Sequence, residues 1–563
     1  MKEGRTFRLF FLVSIMPFLA ALGIVSRPSG APPFYIEELQ HISETTWQLP
    51  RLAEVELMNS TISEVLRACE VEFTGAFGDP VWGFVPGSDY PMIFVRDTST
   101  LLWTAAHYYG DARLVTPIEE FLRRQYDEKS RSDEDGVLAG AGAISAVIAP
   151  DAHIDKATAV SDEEAHLIHA AYVYYETVGG VPWLSKAIRG RTVVDRLSDA
   201  LEWLWSHRLD AQTGLIKRAH TTDWGDVKIE PASNPTDIDP ERDHWTASLY
   251  DQALAYRALR ELAEMNQAVG DGRRADELLG RAEELRRRAQ EVLWQPERGF
   301  FCTHVHLTPL EHPFDEDEMV SIANAVAVRC GLADERQALS IFARLEQARV
   351  EAGARKPGVV LFPPYPEGTF AEARMAPGHY QNGALWDWWA GWQILAEFEM
   401  GRSDMARTHL LQVADEWAGH VGQVFEWQMI DDHSGFGPAD YAGAAGTVGQ
   451  SVLQGLFGVY VTHGGVTLQP RLASWEGFVR VHQPATGRYA AYRYTPRADN
   501  LYLDYGTSGP APVDIAVLVP ENHAVQQVYV DGVAIPHTLS ARGDDVYCVI
   551  EAPTGIHRVR LAF

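Results

Sequence analysis

The sequence predicts a mainly α fold, an (α/α)6 toroid of paired helices followed by a C-terminal antiparallel β-sandwich. Three observations predict it. Five times along the chain an apolar helical segment ends in a tight glycine-containing turn and a second helical segment departs from it. The connections that follow are long and crowded with Asp, Glu, Trp, His, Gly and Pro. Beyond about residue 464 the helical period gives way to short runs rich in Val and Tyr.

The chain opens with Lys2, Arg5 and Arg8, then the apolar run LFFLVSIMPFLAALGIV from Leu9 to Val25. A basic flank before an apolar stretch reads as an export signal, cleaved or kept as a membrane anchor through residues 9–25. Either way the rest of the chain is expected to be extracytoplasmic, secreted or anchored. RPSGAPPF, from Arg27 to Phe34, reads as a linker. The expected division is therefore 1–34 as signal or anchor plus linker, 35–463 as toroid and 464–563 as sandwich.

A helix fits residues 51–69, and five turns follow: YYGDARL at Gly110, TVGGVPW at Gly179, AVGDGRR at Gly270, RCGLADE at Gly331 and EMGRSDM at Gly401. Glycine just past a helix end takes the left-handed conformation without strain. Asp111, Asp271, Asp334 and Asp404 stand where the next helix would take its N-cap. Leu278, Ala282, Leu285, Ala289 and Val292 form one apolar stripe, and Leu249, Ala253, Tyr256 and Leu259 form another. The turns give five pairs between about residues 97 and 420, and helices over 51–69 and 443–460 complete six. An open helical solenoid would show a similar repeat. In a closed ring, the long connections (roughly 126–161, 207–245, 295–318, 352–381 and 420–442) all fall at one end and line a funnel. FVRVH, RYAAYRYT, NLYLDY, VDIAVLV and VYVDGV then read as strands, with Asp531-Gly532 as a hairpin turn.

Composition narrows the function. The formal net charge of −29 over 563 residues repels phosphate backbones, which excludes nucleic acid as a partner and argues against a polybasic membrane patch. Cys69, Cys302, Cys330 and Cys548 form no CxxC pair, so neither a zinc site nor a disulfide scaffold is indicated, and free buried thiols are expected, with one long-range disulfide as the alternative in an oxidising compartment. His304 and His306 in THVHL resemble a metal pair, but no nearby ligand set completes them, and polar packing is the expectation. FDEDEM, from Phe314 to Met319, reads as a solvated acidic run, with calcium binding as the alternative. No metal and no cofactor is called for.

Carboxylates on the long connections can carry chemistry. In HTTDWGDVKIEP, Asp223 and Asp226 bracket Trp224. The indole and a second negative charge both raise a carboxyl pKa, which suits a proton donor. The alternative is a turn in which both aspartates satisfy backbone N–H groups. Glu426 is flanked by Phe425 and Trp427, while the neighbouring Asp431 to Gly435 tract reads as turn chemistry. Glu426 is the candidate base, with a buried ion pair as the alternative.

Several segments together carry a resemblance: FVRDTSTLLW, TTDWGD, WTASLYDQALAYRAL, HYQNGALWDWWAG, FEWQMIDDHSG and YAGAAGTVGQSVLQGLFGV. In this order they resemble the six-hairpin glycosidase superfamily, which includes processing α-glucosidases, glycogen-debranching-type glucosidases, α-L-rhamnosidases and cellobiose-phosphorylase-type enzymes. The resemblance covers most of residues 75–460. It implies a carbohydrate substrate and metal-independent hydrolysis of an α-linked glycosidic bond with inversion. Asp226 would be the acid and Glu426 the base, with Arg96, Asp97, Asp223, Trp224, Gln381, Asn382, Trp386 and Trp388 holding the sugar. Arg96 and Asp97 have the alternative of a structural ion pair. The base loop lacks the superfamily's usual Pro and Thr, and the acid segment matches no single member family. Three rival readings remain: a phosphorylase on the same fold, a non-catalytic exported glycan-binding protein, and a lyase or epimerase using His379 and Tyr380.

Overall fold

The computed structural model describes residues 31–127, 140–151, 154–230, 236–239, 241–420, 422–510 and 512–563. The apolar run Leu9–Val25, on which export and anchoring rest, lies outside them. Among the described residues no helix is long and apolar enough to cross a membrane. Ile36–Phe563 form one compact unit.

In chain order its helices are α1 (Ala53–Ala68), α2 (Val95–Ala105), α3 (Asp111–Arg123), α4 (Glu163–Tyr174), the short α5 (Gly180–Leu184), α6 (Val193–Arg208), α7 (Leu249–Ala268), α8 (Gly272–Val292), α9 (Ala323–Arg329), α10 (Glu335–Glu351), α11 (Asp387–Glu399), α12 (Ser403–Gly419) and α13 (Ala442–Gln450). Apart from α5 they alternate between two layers. The inner helices α2, α4, α7, α9, α11 and α13 are buried on nearly every face, as segments like DWWAGWQILAEFE with no polar side must be. The outer ones are amphipathic. Along α8 only the stripe Ala275, Leu278, Ala282, Leu285 and Ala289 is buried.

The ring closes. Each inner helix packs on the next in chain order, and α13 returns to pack on α2. That seam needs small residues. Thr104 Oγ1 on α2 donates to the Gly446 carbonyl at 2.6 Å, and a Cβ on Gly446 would run into the backbone of Leu101.

The glycine turns sit where the sequence puts them, but only three of the five are left-handed, since Gly110 and Gly179 take φ of −79° and −73°. Gly270, Gly331 and Gly401 take φ of +91°, +79° and +71° and join α7 to α8, α9 to α10 and α11 to α12. At Gly179 the turn is not tight: α4 runs into a π turn, then α5 and a two-residue strand pair intervene before α6. Of the four expected N-caps, Asp271 and Asp334 accept from Arg274 N and Gln337 N. Asp111 and Asp404 lie inside the first turn instead, because Gly110 and Arg402 occupy the cap positions. Inside that turn they still face the positive helix end. The last helix stops at Gln450 rather than 460. A π turn, Ser451–Leu456, and a strand, Val459–Val461, follow it.

The β-sandwich consists of a seven-stranded and a five-stranded sheet. It draws on residues upstream of 464: Thr46–Gln48 pairs with Gly477–Gln483 at one edge, and Val459–Val461 begins the smaller sheet. Its pairings are antiparallel except Val466–Leu468 with Val513–Leu518. Asp531 and Gly532 form the expected two-residue hairpin turn, both at positive φ. Buried Arg471 ties the sandwich to the toroid. It donates to the Gln454 and Gly455 carbonyls of the π turn at 2.8 and 2.6 Å, and to the Tyr547 hydroxyl at 3.0 Å. All four cysteines are buried and free.

The alternation has a functional consequence. All six inner helices start at one end of the ring, and the long connections lead into those starts.

If the α13–α2 seam closes the ring, Gly446→Leu is expected to lower stability by about 1–3 kcal/mol, the usual cost of overpacking. Gly280→Ala, at an open position of α8 with nothing within 4 Å of the added methyl, is expected to be neutral or stabilising. Chemical denaturation of both variants checks this, and equal losses would remove the seam from its place in the argument.

Candidate active site

The connection from α6 to α7 carries Asp226. It begins with the strand Arg218–Ala219, paired to Trp245–Thr246. The buried Arg218 guanidinium lies 3.7 Å from the Asp251 carboxylate and donates to the carbonyls of Asp223 and Gly225, so it holds the loop by its backbone. Thr221 Oγ1 adds a bond to the Gly225 carbonyl at 2.8 Å. Asp223 turns inward. Its carboxylate accepts from Ser321 Oγ at 3.0 Å and from Ala323 N, at the start of α9, at 3.2 Å. Burial pushes its carboxyl up to about 7 against those bonds. Trp224 also turns inward, with Trp386 and Trp389 at ring-centroid distances of 5.1 and 5.0 Å. Asp226, by contrast, stays half-buried, and its Oδ1 is buried without a hydrogen-bond partner in the protein. A buried carboxylate oxygen left unpaired is what a ligand-facing group looks like before the ligand arrives.

Glu426 comes from the connection between α12 and α13. Here the backbone does the fastening. Trp427–Gln428 pairs with Gly435–Phe436, and Gln428 exchanges two bonds with Leu385, each 2.9 Å. The Tyr90 hydroxyl lies 3.0 Å from both carboxylate oxygens of Glu426. Gly437, at φ +71°, lies where a Cβ would strike that carboxylate. Burial pushes the Glu426 carboxyl up to about 8, against the Tyr90 bond that favours its charge, and the negative charges of Asp97 and Asp226 raise it further.

Arg96 and Asp97 open α2 and do not pair with each other. Arg96 makes two bonds to Asp162, Nε to Oδ2 at 2.7 Å and Nη2 to Oδ1 at 3.1 Å. Burial opposes the Asp162 charge, but Arg96 and His166 outweigh it and hold the carboxyl well below its usual range. Asp97 accepts from the Tyr441 hydroxyl at 2.9 Å, and burial lifts it to about 6.

The structure thus brings the two candidate catalytic carboxylates, which are 200 positions apart in sequence (426 − 226), into one electrostatic neighbourhood. The charge of Asp226 is felt at Glu426, Tyr90, Tyr380, Arg96 and Arg374. Other expected sugar contacts are placed differently. Trp224, Trp386 and Trp388 are at most 2% exposed and form a floor. Asn382 is spent on the Tyr365 and Met375 backbone. Gln381 is buried with Oε1 unpartnered, facing Gly225. Apolar faces are offered at the rim instead, where Trp427 stacks on exposed Phe436 at 4.4 Å and 12°. Asp387 is paired with Lys356 at 2.6 Å and Trp417 at 2.9 Å.

Tyr90, Asp162, Arg374 and Tyr441 were not singled out from the sequence. Only Asp162 had a local signal, the helix-start tract SDEEA, and that signal is structural. The Tyr380 phenol is held well above its ordinary value by burial and by Asp226 and Glu426, so it stays protonated and is a poor base. His304 and His306 are not isolated: His220, His312 and Glu316 join them.

Residues 90–357 match the family model of the mannosylglycerate hydrolase MGH1-like glycoside hydrolase domain. Three solved structures share the architecture. One is the GH78 family rhamnosidase of Bacillus sp. GL1, with 15% identity and a TM-score of 0.56 over 87% of this chain and 43% of that one. Another is the α-L-rhamnosidase of Streptomyces avermitilis, with 14% identity and a TM-score of 0.59 over 94% and 42%. The third is that of Dictyoglumus thermophilum, with 12% identity and a TM-score of 0.58 over 92% and 50%. The chain spans half or less of the length of these three proteins. No curated protein matches it by sequence. Residues 90–357 are thus similar to a glycoside hydrolase domain, and the chain shares the fold of the three rhamnosidase structures.

A carboxyl raised from 4.5 to about 8 by folding favours the folded state most at low pH, and that contribution is lost as pH rises toward 8. Glu426→Gln escapes the loss. Its Tm is expected to exceed that of the wild type by a margin that opens above about pH 4.5 and is full above pH 8. A margin that does not depend on pH would show that Glu426 is not the desolvated group.

Proposed function

We propose that this chain hydrolyses an α-linked glycoside with inversion, Asp226 protonating the leaving oxygen and Glu426 drawing a proton from the attacking water. The observation that carries the reading is the unpartnered Asp226 oxygen in the same electrostatic neighbourhood as a Glu426 held by Tyr90. The Tyr90 bond orients the base and favours its charged form. Arg96 and Asp97 supply hydroxyl contacts, and the Trp427–Phe436 stack gives the sugar an apolar face. Inversion needs room for a water, with carboxyls roughly 6.5–9.5 Å apart.

Two features bear on the substrate. The matched family is named for mannosylglycerate hydrolase, whose substrate joins a sugar to a carboxylate-bearing partner. Arg374, exposed, lies over the Tyr380 ring at 5.2 Å and feels Asp226; its Nε is paired with Glu372 at 2.7 Å, so a carboxylate on the leaving group would meet only its remaining N–H groups. Mannosylglycerate therefore belongs in the substrate panel beside aryl α-mannoside, α-glucoside and α-rhamnoside. A phosphorylase would need a free basic pocket, and Arg96 is already committed to Asp162.

One observation favours a second reading with the roles exchanged: the carboxyl raised to about 8 is Glu426, and proton donors are raised groups. Leaving-group dependence separates the two. Asp226→Asn and Glu426→Gln are each expected to lower kcat by on the order of 10²–10⁴. An aryl glycoside with an acidic phenol should partly rescue Asp226→Asn and not Glu426→Gln. The opposite rescue exchanges the roles, and near-wild-type turnover in both variants ends the assignment. NMR of the first-formed anomer tests inversion.

The Tyr90 bond carries its own expectation. Removing a donor to the charged form raises a carboxyl pKa. In Tyr90→Phe the acidic limb of the kcat/KM profile should therefore move to higher pH than in the wild type, whose limb is expected near 8. A limb that moves down, or not at all, separates Tyr90 from the base.

A further inference from the structure

Behind the acid loop lies a second cluster that takes no part in the proposed hydrolysis. His304 and His306 alternate along the strand His304–His306 and so point to one face. That strand pairs with Trp245–Ser248, which pairs in turn with Arg218–Ala219, and His220 follows immediately. His312 and Glu316, four apart on the 295–318 connection, come in from the side. One ligating atom from each of His220, His306, His312 and Glu316 can be chosen so that all four lie within 4.8 Å of one another. Glu316 is at the centre. Its Oε2 is 2.6 Å from His306 Nε2, and its Oε1 is 3.2, 3.5 and 3.6 Å from the Nε2 atoms of His312, His220 and His304.

Hydrogen bonding alone does not account for this arrangement. His220 is fully buried, and neither of its ring nitrogens makes a hydrogen bond; the same holds for buried His304. Buried polar atoms are normally paired, and here the Nε2 atoms of His220, His304 and His312 face one carboxylate oxygen at 3.2–3.6 Å without forming a hydrogen bond.

We propose that His220, His306, His312 and Glu316 bind one divalent transition metal ion, zinc by the chemistry of the set. Imidazole-rich sets suit zinc, whereas calcium and magnesium demand oxygen ligands. Four protein ligands leave no open position, which makes the site structural rather than catalytic. Zinc bonds of ~2.1 Å give a tetrahedron with edges of roughly 3.4 Å. Side-chain rotations would close gaps of up to 4.8 Å, and the His306–Glu316 hydrogen bond opens as Nε2 gives up its proton, which passes to Nδ1 of the same neutral ring or, from a doubly protonated ring, to solvent. His304 Nε2 stays close to Glu316 as an outer-shell donor. The consequence is mechanical. His220 is six residues before Asp226 (226 − 220), so the ion pins the start of the acid loop to the 295–318 connection.

The test uses the full-length protein without an affinity tag, stripped by chelator. Titration with Zn²⁺ by calorimetry should give one equivalent and raise Tm, and Co²⁺ should give the intense visible bands of a tetrahedral nitrogen–oxygen site. His312→Gln and Glu316→Gln, on the accessible side, should each weaken binding at least 100-fold, and His304→Gln by about 10–100-fold. Asp226→Asn should bind Zn²⁺ as the wild type does, so this outcome is independent of whether the hydrolytic reading holds. Failure of the stripped wild type to bind either ion stoichiometrically overturns the proposal. So does unchanged binding in both His312→Gln and Glu316→Gln. The wild-type cobalt spectrum decides the matter even if a variant misfolds.

Discussion

The site depends on one constraint: six inner helices packed side by side must all begin at the same end of the ring. Each beginning offers unpaired N–H groups and the positive end of a dipole. The chain answers with aspartates. Asp97 lies in the first turn of α2, Asp162 at the cap of α4, Asp251 in the first turn of α7 and Asp387 in the first turn of α11; Asp223 reaches across to the first N–H of α9. Such a concentration of negative charge would be costly in an apolar interior. Here converging helix ends, the half-buried guanidinium of Arg96 and the buried one of Arg218 offset it, and the mouth of the ring can hold these carboxylates.

The compensation is uneven, and the unevenness is chemically useful. Asp162, with two bonds from Arg96, is held ionised. Asp97, Asp223 and Glu426 are raised to about 6, 7 and 8, with burial as the leading cause in each. A set of neighbouring carboxyls with separated proton affinities is what acid–base chemistry on a glycosidic bond requires. The same separation means that part of the folding free energy is given up at the mouth, and the densely packed Trp floor of Trp224, Trp386, Trp388 and Trp389 supplies local rigidity in return.

What could be read from the sequence follows from how local each signal is. Glycine turns and apolar stripes are local, so the hairpins at Gly270, Gly331 and Gly401 were legible, and the change to strands near residue 464 was too. Closure of the ring was expected from the count of six pairs, with an open solenoid as the alternative, and no one segment shows it, because it rests on small residues of α13 meeting α2 some 340 positions away, as Thr104 to Gly446 illustrates. The strand Thr46–Gln48 was invisible for the same reason: its partner lies at Gly477–Gln483. At the site, aromatic-flanked carboxylates drew attention to Asp226 and Glu426. The flanking Trp224 and Asp223 turned out to point inward, since periodicity fails in irregular loops and nothing local says which side chain faces the funnel. Tyr90 and Tyr441 lacked any signal, and the histidine cluster was missed because its members come from two separate connections.

The two loops that carry Asp226 and Glu426 are fastened by different means, and the difference explains where the further side-chain machinery sits. The Glu426 loop is held by backbone pairing: the Trp427–Gln428 ladder, the Leu385 bonds, and Val424 N to Ala439 O and Tyr441 N to Val424 O at 2.8 Å each. It needs little else. Between Thr221 and Asp226 no strand partner exists, and the turn passes through Asp223 at φ +20°, a conformation side chains rarely adopt. Such a loop holds its shape only if side chains over-determine it. Arg218 grips its carbonyls, Asp223 bolts it to α9, and Trp224 anchors it in the floor. The histidine–glutamate cluster at His220 lies where such a fastening is still required, at the entry to the turn. A metal there would act on Asp226 through geometry alone, by fixing the loop that carries it.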